Sequence, residues 1–309
     1  MVHQYNAKAT KKYFEDLAEG YFSAHAPRDE IFLELILPKY IHPIKFREAE
    51  ILPSEKLFNR SKKNKGKITA LDFGCGGGAL LLEILKRGVK AKGIEKHSEL
   101  WKMAQNRLHE AGFNKEDVIR GSIKELDNLP KNSFDFAILM GVLQYLSPKQ
   151  RSQLYMKIHR ILKPKGHMVA TFQNAFFDLF TFNKYTVDFF KEKIFKPLKL
   201  DKLIGSEIVK DLKSLMTYPD EPDYSVKIAR DNIYVETTNP LTIGDELANH
   251  KFKLLQKYFY TFFPLPRLIE SKYKNKLEKF NKQFELKRSQ EWYGHLMANA
   301  FLVDCIKEK

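Results

Sequence analysis

Between Ile68 and Phe172, short apolar runs alternate with stretches whose apolar positions recur every three or four residues, the mark of strands and amphipathic helices taken in turn. The runs predict strands at 68–73, 90–95, 117–120, 134–139 and 166–172. The intervening periodicity predicts helices near 78–87, 98–111 and 148–162, with Gly88 and Gly112 as C-terminal stops. That order is a doubly wound α/β layout, a mostly parallel sheet covered by helices on both faces, over residues 66–173. In front of it, Tyr13, Phe14, Leu17 and Tyr21, followed by the apolar face of "RDEIFLELILPKYI", predict a helical N-terminal cap spanning residues 1–65. Beyond it the alternation breaks. Residues 174–249 begin with the aromatic, helix-prone "NAFFDLFTFNKYTVDFFKEKIF" and read as a substrate-facing insertion after strand 5. Residues 250–309 return to strand-like runs at 250–263 and 295–307, a hairpin-like pair expected to place one strand antiparallel at the sheet edge.

Composition narrows the setting without naming a task. The 309 residues, 43% of them hydrophobic, suffice for one large core or two modest ones. No stretch approaches the roughly 20 apolar residues of a membrane helix, and "MVHQYNAKATKK" lacks a signal-peptide core, so no membrane span and a cytoplasmic location are expected. Two cysteines, Cys75 and Cys305, give neither a disulfide framework nor a cysteine-rich zinc site, and no metal is expected. The formal charge of +15 raises nucleic acid as a partner. Lysine far outnumbers arginine, however, and runs such as "RSKKNKGK" read as solvated loop and helix faces, which makes nucleic acid the weaker alternative.

The candidate chemistry lies at the first strand-to-helix junction, Asp72-Phe73-Gly74-Cys75-Gly76-Gly77-Gly78. Glycines after a buried strand let backbone approach a ligand, and the following helix aims its N–H groups at it. The dinucleotide fingerprint reads G-x-G-x-x-G and usually has no acid just before it. Here Asp72 would repel a pyrophosphate and attract a ligand carrying an ammonium group. Glu95 ends the second predicted strand about twenty residues further on, where a carboxylate accepts ribose hydroxyls. Together these groups call for a nucleoside with a cationic, non-phosphorylated tail.

These residues resemble the class I S-adenosylmethionine-dependent methyltransferases. The resemblance rests on "LDFGCGGG", on Glu95, on "NSFDFAILMGVLQYL" and on "HRILKPKGHMVATF", and covers about residues 66–173. It implies a seven-stranded, mostly parallel sheet with an antiparallel final strand, and S-adenosylmethionine as cofactor. Carried over residue by residue, Gly74, Gly76 and Gly78 would pass the methionine part, Asp72 would help hold its amino end, Glu95 would take the ribose, and Gly141 would line the sulfonium side. Where the pattern commonly has an acid for the adenine amino group, this chain has Ser122, followed by Ile123 to pack on the base. The "YFEDLAEGYF" segment is similar to one that folds over the bound cofactor in many of these enzymes, which would make Tyr13 and Tyr21 lid residues.

For the acceptor, Gln144 and Tyr145 directly follow the fourth strand, and Tyr145 is the candidate base. His250, Glu291 and His295 are further candidates that read first as surface or strand-edge residues; His159, in a covering helix, and His167, at the remote end of the fifth strand, are set aside. The aromatic positions from Phe176 to Phe190 read as core packing first and as the floor of an acceptor pocket second. The favoured function is methyl transfer to a small-molecule or glycan acceptor, at oxygen, through looser similarity to stand-alone bacterial enzymes that methylate sugars. An RNA or protein methyltransferase and a non-catalytic, cofactor-binding subunit are the alternatives. Met140-Gly141-Val142-Leu143 stands where amino-group methylation uses N/D-P-P-Y/F.

Overall fold

The computed structural model describes residues 27–38, 68–182, 184–198, 207, 209–211, 235–263 and 288–309. Tyr13, Tyr21 and the linker at 39–67 lie outside the described residues. The strands are β1 (Thr69–Phe73), β2 (Lys90–Glu95), β3 (Val118–Arg120), β4 (Phe134–Leu139), β5 (Leu162–Asn174), β6 (Thr237–Thr238), β7 (Phe252–Phe262) and β8 (Ala298–Lys307). Three longer helices lie between them: α1 (Ala79–Lys86), α2 (Ser98–Glu110) and α3 (Pro148–Ile161). Four of the five core strands and all three helices stand within a residue of where the periodicity puts them, and β5 starts earlier than expected, at Leu162 rather than 166. Gly88 and Gly112 fall just past α1 and α2, and each donates to a carbonyl of the last turn, Leu85 and His109. At the other end of α3, Ser147 and Gln150 form a capping box with Pro148 at the first helical position.

The sheet runs β3-β2-β1-β4-β5-β8-β7, with the two-residue β6 paired to β5. Strands β1 to β5 are mutually parallel and β8 is antiparallel to both of its neighbours. Seven strands therefore form the sheet proper and β6 adds an eighth. Alternate residues feed two cores: Leu71, Ala137 and Leu139 face α3 with Leu154 and Ile158, whereas Ala70, Phe136 and Ile138 face α1 and α2 with Leu81 and Leu108. The helical segment 27–38 belongs to the second layer, where Phe32 meets Phe136 edge to face at 6.1 Å. The order reverses at β1, so the crevice over the C-terminal ends of β1 and β4 is the topological switch point, where doubly wound folds bind ligands.

Two details correct the sequence reading. The antiparallel strand β8 is inserted between β5 and β7 rather than at the edge, and β7 is the edge. The burial of each strand gives the reason: Ala300 to Cys305 are all buried, which suits a strand paired on both sides, whereas β7 exposes Lys253 and Leu255. The L-K-P-x-G stretch is not a free turn but the opening of β5, which carries a register shift opposite Phe134 and Phe136 and a positive φ at Lys165.

The inserted β8 carries Asp304, whose Oδ1 lies 2.8 Å from His167 Nδ1 on β5, both side chains buried. His167 is thus a structural partner across the sheet, in accord with its being set aside. Replacing Asp304 by alanine leaves a buried ring nitrogen without this bond, which costs about 1–3 kcal/mol. The expected outcome is an unfolding free energy, measured by urea titration, lowered in Asp304→Ala by that amount with cofactor affinity unchanged. No helix among the described residues is long and apolar enough to cross a membrane.

Candidate functional site

The glycine turn follows β1 directly and is fastened to the end of β2: Gly74 and Cys75 N–H groups both donate to the Ile94 carbonyl, at 2.7 and 3.2 Å. Gly76 N–H then donates to Glu95 Oε2 at 3.0 Å. The two anchors that the sequence suggested separately are therefore in contact, and Glu95 is buried at 4% exposure with its carboxylate across the mouth of the turn. Its other oxygen accepts the His97 N–H at 2.8 Å and lies at the same distance from His97 Nδ1. An ionised carboxylate offers about four acceptor positions, so one remains on Oε2 for a ribose hydroxyl. The backbone of the turn, the next residue pair and the ring of His97 all hold the carboxylate in place before any ligand arrives.

Asp72 sits inside β1, paired with Gly93 and Ile138, and is buried. Burial, and then the charges of Asp72 and Glu95, push the Cys75 thiol well above its ordinary range. Two carboxylates therefore bear on the turn at once, an electrostatic setting that suits a cationic tail and opposes a pyrophosphate. Gly74, Gly76 and Gly78 all have positive φ, at 76°, 56° and 76°. The backbone of the turn is left-handed where it bends, and side chains there would fill the cradle. A Cβ built on Gly74 would stand 2.5 Å from Val142 Cγ2, which shows how closely the loop after β4 approaches the turn.

The remaining expected residues flank this pair. Gly141, just past β4 with φ 71°, donates its N–H to Thr171 Oγ1 at 2.7 Å. Gly121 N–H donates to the Glu95 carbonyl at 2.8 Å, which brings the loop after β3 beside Glu95. Ser122 caps the short helix Ile123–Asn128, and its N–H, 2.5 Å from Glu125, holds that carboxyl below its ordinary range. Ile123 is partly buried against the core. Asp72, Gly74, Gly76, Gly78, Glu95, Ser122, Ile123 and Gly141 thus gather at the C-terminal ends of β1 to β4. The arrangement fits S-adenosylmethionine: a glycine cradle for backbone approach, buried acids for a cationic tail, and a positioned carboxylate for a ribose.

Three residues that sequence reading missed hold this geometry. Besides His97, Arg107 on α2 donates to the Gly77 carbonyl at 2.6 Å, and the fully buried Thr171 on β5 receives the Gly141 N–H. Only His97, two residues after Glu95 and at the start of α2, carried a local signal.

On the acceptor side, Tyr145 lies half-buried in the turn Leu143–Tyr145 directly after β4. Gln144 is buried, and its carbonyl accepts the Glu236 N–H at 2.8 Å. The other candidates have local partners: His250 lies between the Glu246 carbonyl and Ser152 Oγ, Glu291 pairs with Arg288, His295 Nδ1 meets the Trp292 carbonyl, and His159 Nε2 meets the Glu308 carbonyl. Most of the aromatic stripe packs as a small core, with Phe176 against Phe189 and Phe177 against Phe263, while Phe182 is exposed.

Comparison with known proteins agrees with this geometry. Residues 70–166 match the model of a methyltransferase domain. An uncharacterized methyltransferase of Schizosaccharomyces pombe is 28% identical over 102 residues, covering 32% of this chain and 38% of its own. The ubiquinone biosynthesis O-methyltransferase of Rickettsia conorii is 25% identical over 189 residues, covering 57% and 63%. The chain therefore spans less than two thirds of either curated relative. Among solved structures, magnesium protoporphyrin IX methyltransferase from Synechocystis PCC 6803, with bound S-adenosylhomocysteine, shares the fold with a TM-score of 0.50 at 10% identity, over 98% of this chain and 100% of its own. The matched segment carries the glycine turn, Glu95 and the loop after β4, so residues 70–166 are a methyltransferase domain.

Proposed function

We propose that the protein transfers a methyl group to an oxygen atom of a small-molecule or glycan acceptor. The observation that carries this reading is the loop after β4, where Met140-Gly141-Val142-Leu143 closes against the glycine turn and leads straight to a half-buried tyrosine. A loop for amino-group methylation would offer N/D-P-P-Y/F there instead. The name of the Rickettsia conorii relative, an O-methyltransferase, supports oxygen as the acceptor atom.

When bound, the cofactor supplies a methyl carbon activated by its sulfonium. Glu95, held by Gly76 and His97, fixes the ribose; Asp72 and the glycine turn receive the amino-acid tail; Ser122 and Ile123 lie beside the base. Gly141, tied to Thr171, sets the wall against which the methyl group would stand. In-line displacement draws most of its rate from alignment, so holding these groups still is the main work of the protein. Tyr145, as its phenolate, would take the proton of the acceptor hydroxyl as that oxygen bonds to the methyl carbon, with the carbon–sulfur bond broken and the demethylated thioether as the leaving group. The described part of residues 66–173 holds the cofactor, that of 174–249 follows β5 toward the acceptor, and β7 and β8 complete the sheet; most of the expected cap, 1–65, lies outside the described residues.

Purified protein given labelled S-adenosylmethionine should transfer label to members of a panel of hydroxylated metabolites and sugars and not to bulk RNA. With an acceptor in hand, Tyr145→Phe should lower kcat by about a hundredfold or more, the usual range for a general base, while the affinity for S-adenosylhomocysteine stays within about twofold. Label in RNA alone, or an unchanged kcat, would remove the respective half of the reading.

A further inference from the structure

We propose that one edge of the Arg151 guanidinium is a subsite for a carboxylate carried by the methyl acceptor, an assignment that rests on the methyltransferase reading above. Arg151 lies in the first turn of α3 and is only 6% exposed. Its Nη1 is committed to the Glu246 carboxylate, at 3.2 and 3.4 Å, and reaches Thr238 Oγ1 at 3.5 Å. Nε and Nη2 are buried and have no hydrogen-bond partner among the described residues. These two nitrogens share the side of the guanidinium that presents two parallel N–H groups, the fork that matches a carboxylate. A buried donor left unpaired costs about 1–3 kcal/mol, and native proteins keep few of them without a use.

The location is the acceptor side of the crevice. Thr238 pairs with Asn174 at the C-terminal end of β5, and the Arg151 guanidinium lies 5.8 Å from the ring of Phe172 on the same strand. Gln144, in the turn after β4, joins the same neighbourhood through its bond from Glu236, and its buried Oε1 also has no partner among the described residues. Two donors in a fork and a nearby acceptor suit a carboxylic acid that bears a hydroxyl or N–H close by. Glu246 does not oppose this, because a guanidinium has two carboxylate-binding edges and Tyr155 Oη donates to Glu246 at 3.0 Å.

The test uses the full chain saturated with S-adenosylhomocysteine and measures by NMR titration the binding of benzoate and hexanoate against benzamide and hexanamide. Wild type should bind each acid at least tenfold more tightly than its amide. Arg151→Lys, which can still pair with Glu246 but lacks the fork, should lose that preference, whereas Glu246→Gln should keep it. Equal binding of acid and amide by wild type overturns the assignment whatever the variants do, and so does a preference that survives in Arg151→Lys. Failure of wild type to bind S-adenosylhomocysteine at all would instead count against the methyltransferase reading.

Discussion

Glu95→Ala is expected to weaken the binding of S-adenosylhomocysteine by on the order of a hundredfold, measured by calorimetry, while the far-ultraviolet circular dichroism stays that of the wild type. A hydrogen bond to a charged group contributes about 1.5–3 kcal/mol, and each 1.4 kcal/mol is about tenfold in Kd. Loss of the ribose contact together with loss of the positioned Gly76 N–H therefore reaches about 3 kcal/mol. The carboxylate is 4% exposed, so water cannot take its place cheaply. Glu95→Gln separates the two contributions. Its amide oxygen can still accept from Gly76, so the turn keeps its shape, but the charge facing the ligand is gone, and affinity should fall between the two forms. An alanine variant that binds as well as wild type would show that the contact between Glu95 and the turn serves the fold alone.

The alternation of strand and helix was legible because each strand of the parallel core is covered on both faces and reads as a continuous apolar run, as "TALDF" and "FDFAIL" do. Helix ends were legible for the same local reason, with Gly88, Gly112 and the Ser147 capping box acting within a few residues of the elements they close. The place of β8 was not. Both late strands have similar periodicity, and only the pairing of Asp304 with His167, 137 residues away, and the burial of Ala300 to Cys305 show which one lies inside. The site divides in the same way. Glycines and acids at strand ends announce themselves by spacing, whereas Arg107 on Gly77 and Thr171 on Gly141 are contacts across 30 residues of chain, made by side chains that look ordinary on a helix face and in a strand. Arg151 looks like any basic residue in "PKQRSQ", and its interest comes only from burial against residues 87 and 95 positions away.

The second large effect concerns the turn itself. Gly74→Ala is expected to lower stability by about 3 kcal/mol, from two costs that can be told apart. A non-glycine residue in the left-handed region costs about 1–2 kcal/mol, and φ at Gly74 is 76°. The new Cβ would also stand 2.5 Å from Val142 Cγ2, and forcing a methyl group into such a place costs about 1–3 kcal/mol. Adding Val142→Ala removes the second cost and leaves the first, so the double variant should recover part of the urea midpoint but not all of it. Gly78→Ala provides the contrast. Its Cβ would meet the Cα of Ala104 at 3.1 Å as well as the Ala104 side chain, and because the obstacle includes main chain of α2, no side-chain substitution at 104 should rescue it. If Gly74→Ala is rescued in full by Val142→Ala, the cost was steric alone and the left-handed turn contributes nothing. If it is not rescued at all, the approach of the β4 loop to the glycine turn is looser than the 2.5 Å contact requires, and Gly141 is not held against the cofactor cradle as tightly as methyl transfer by alignment demands.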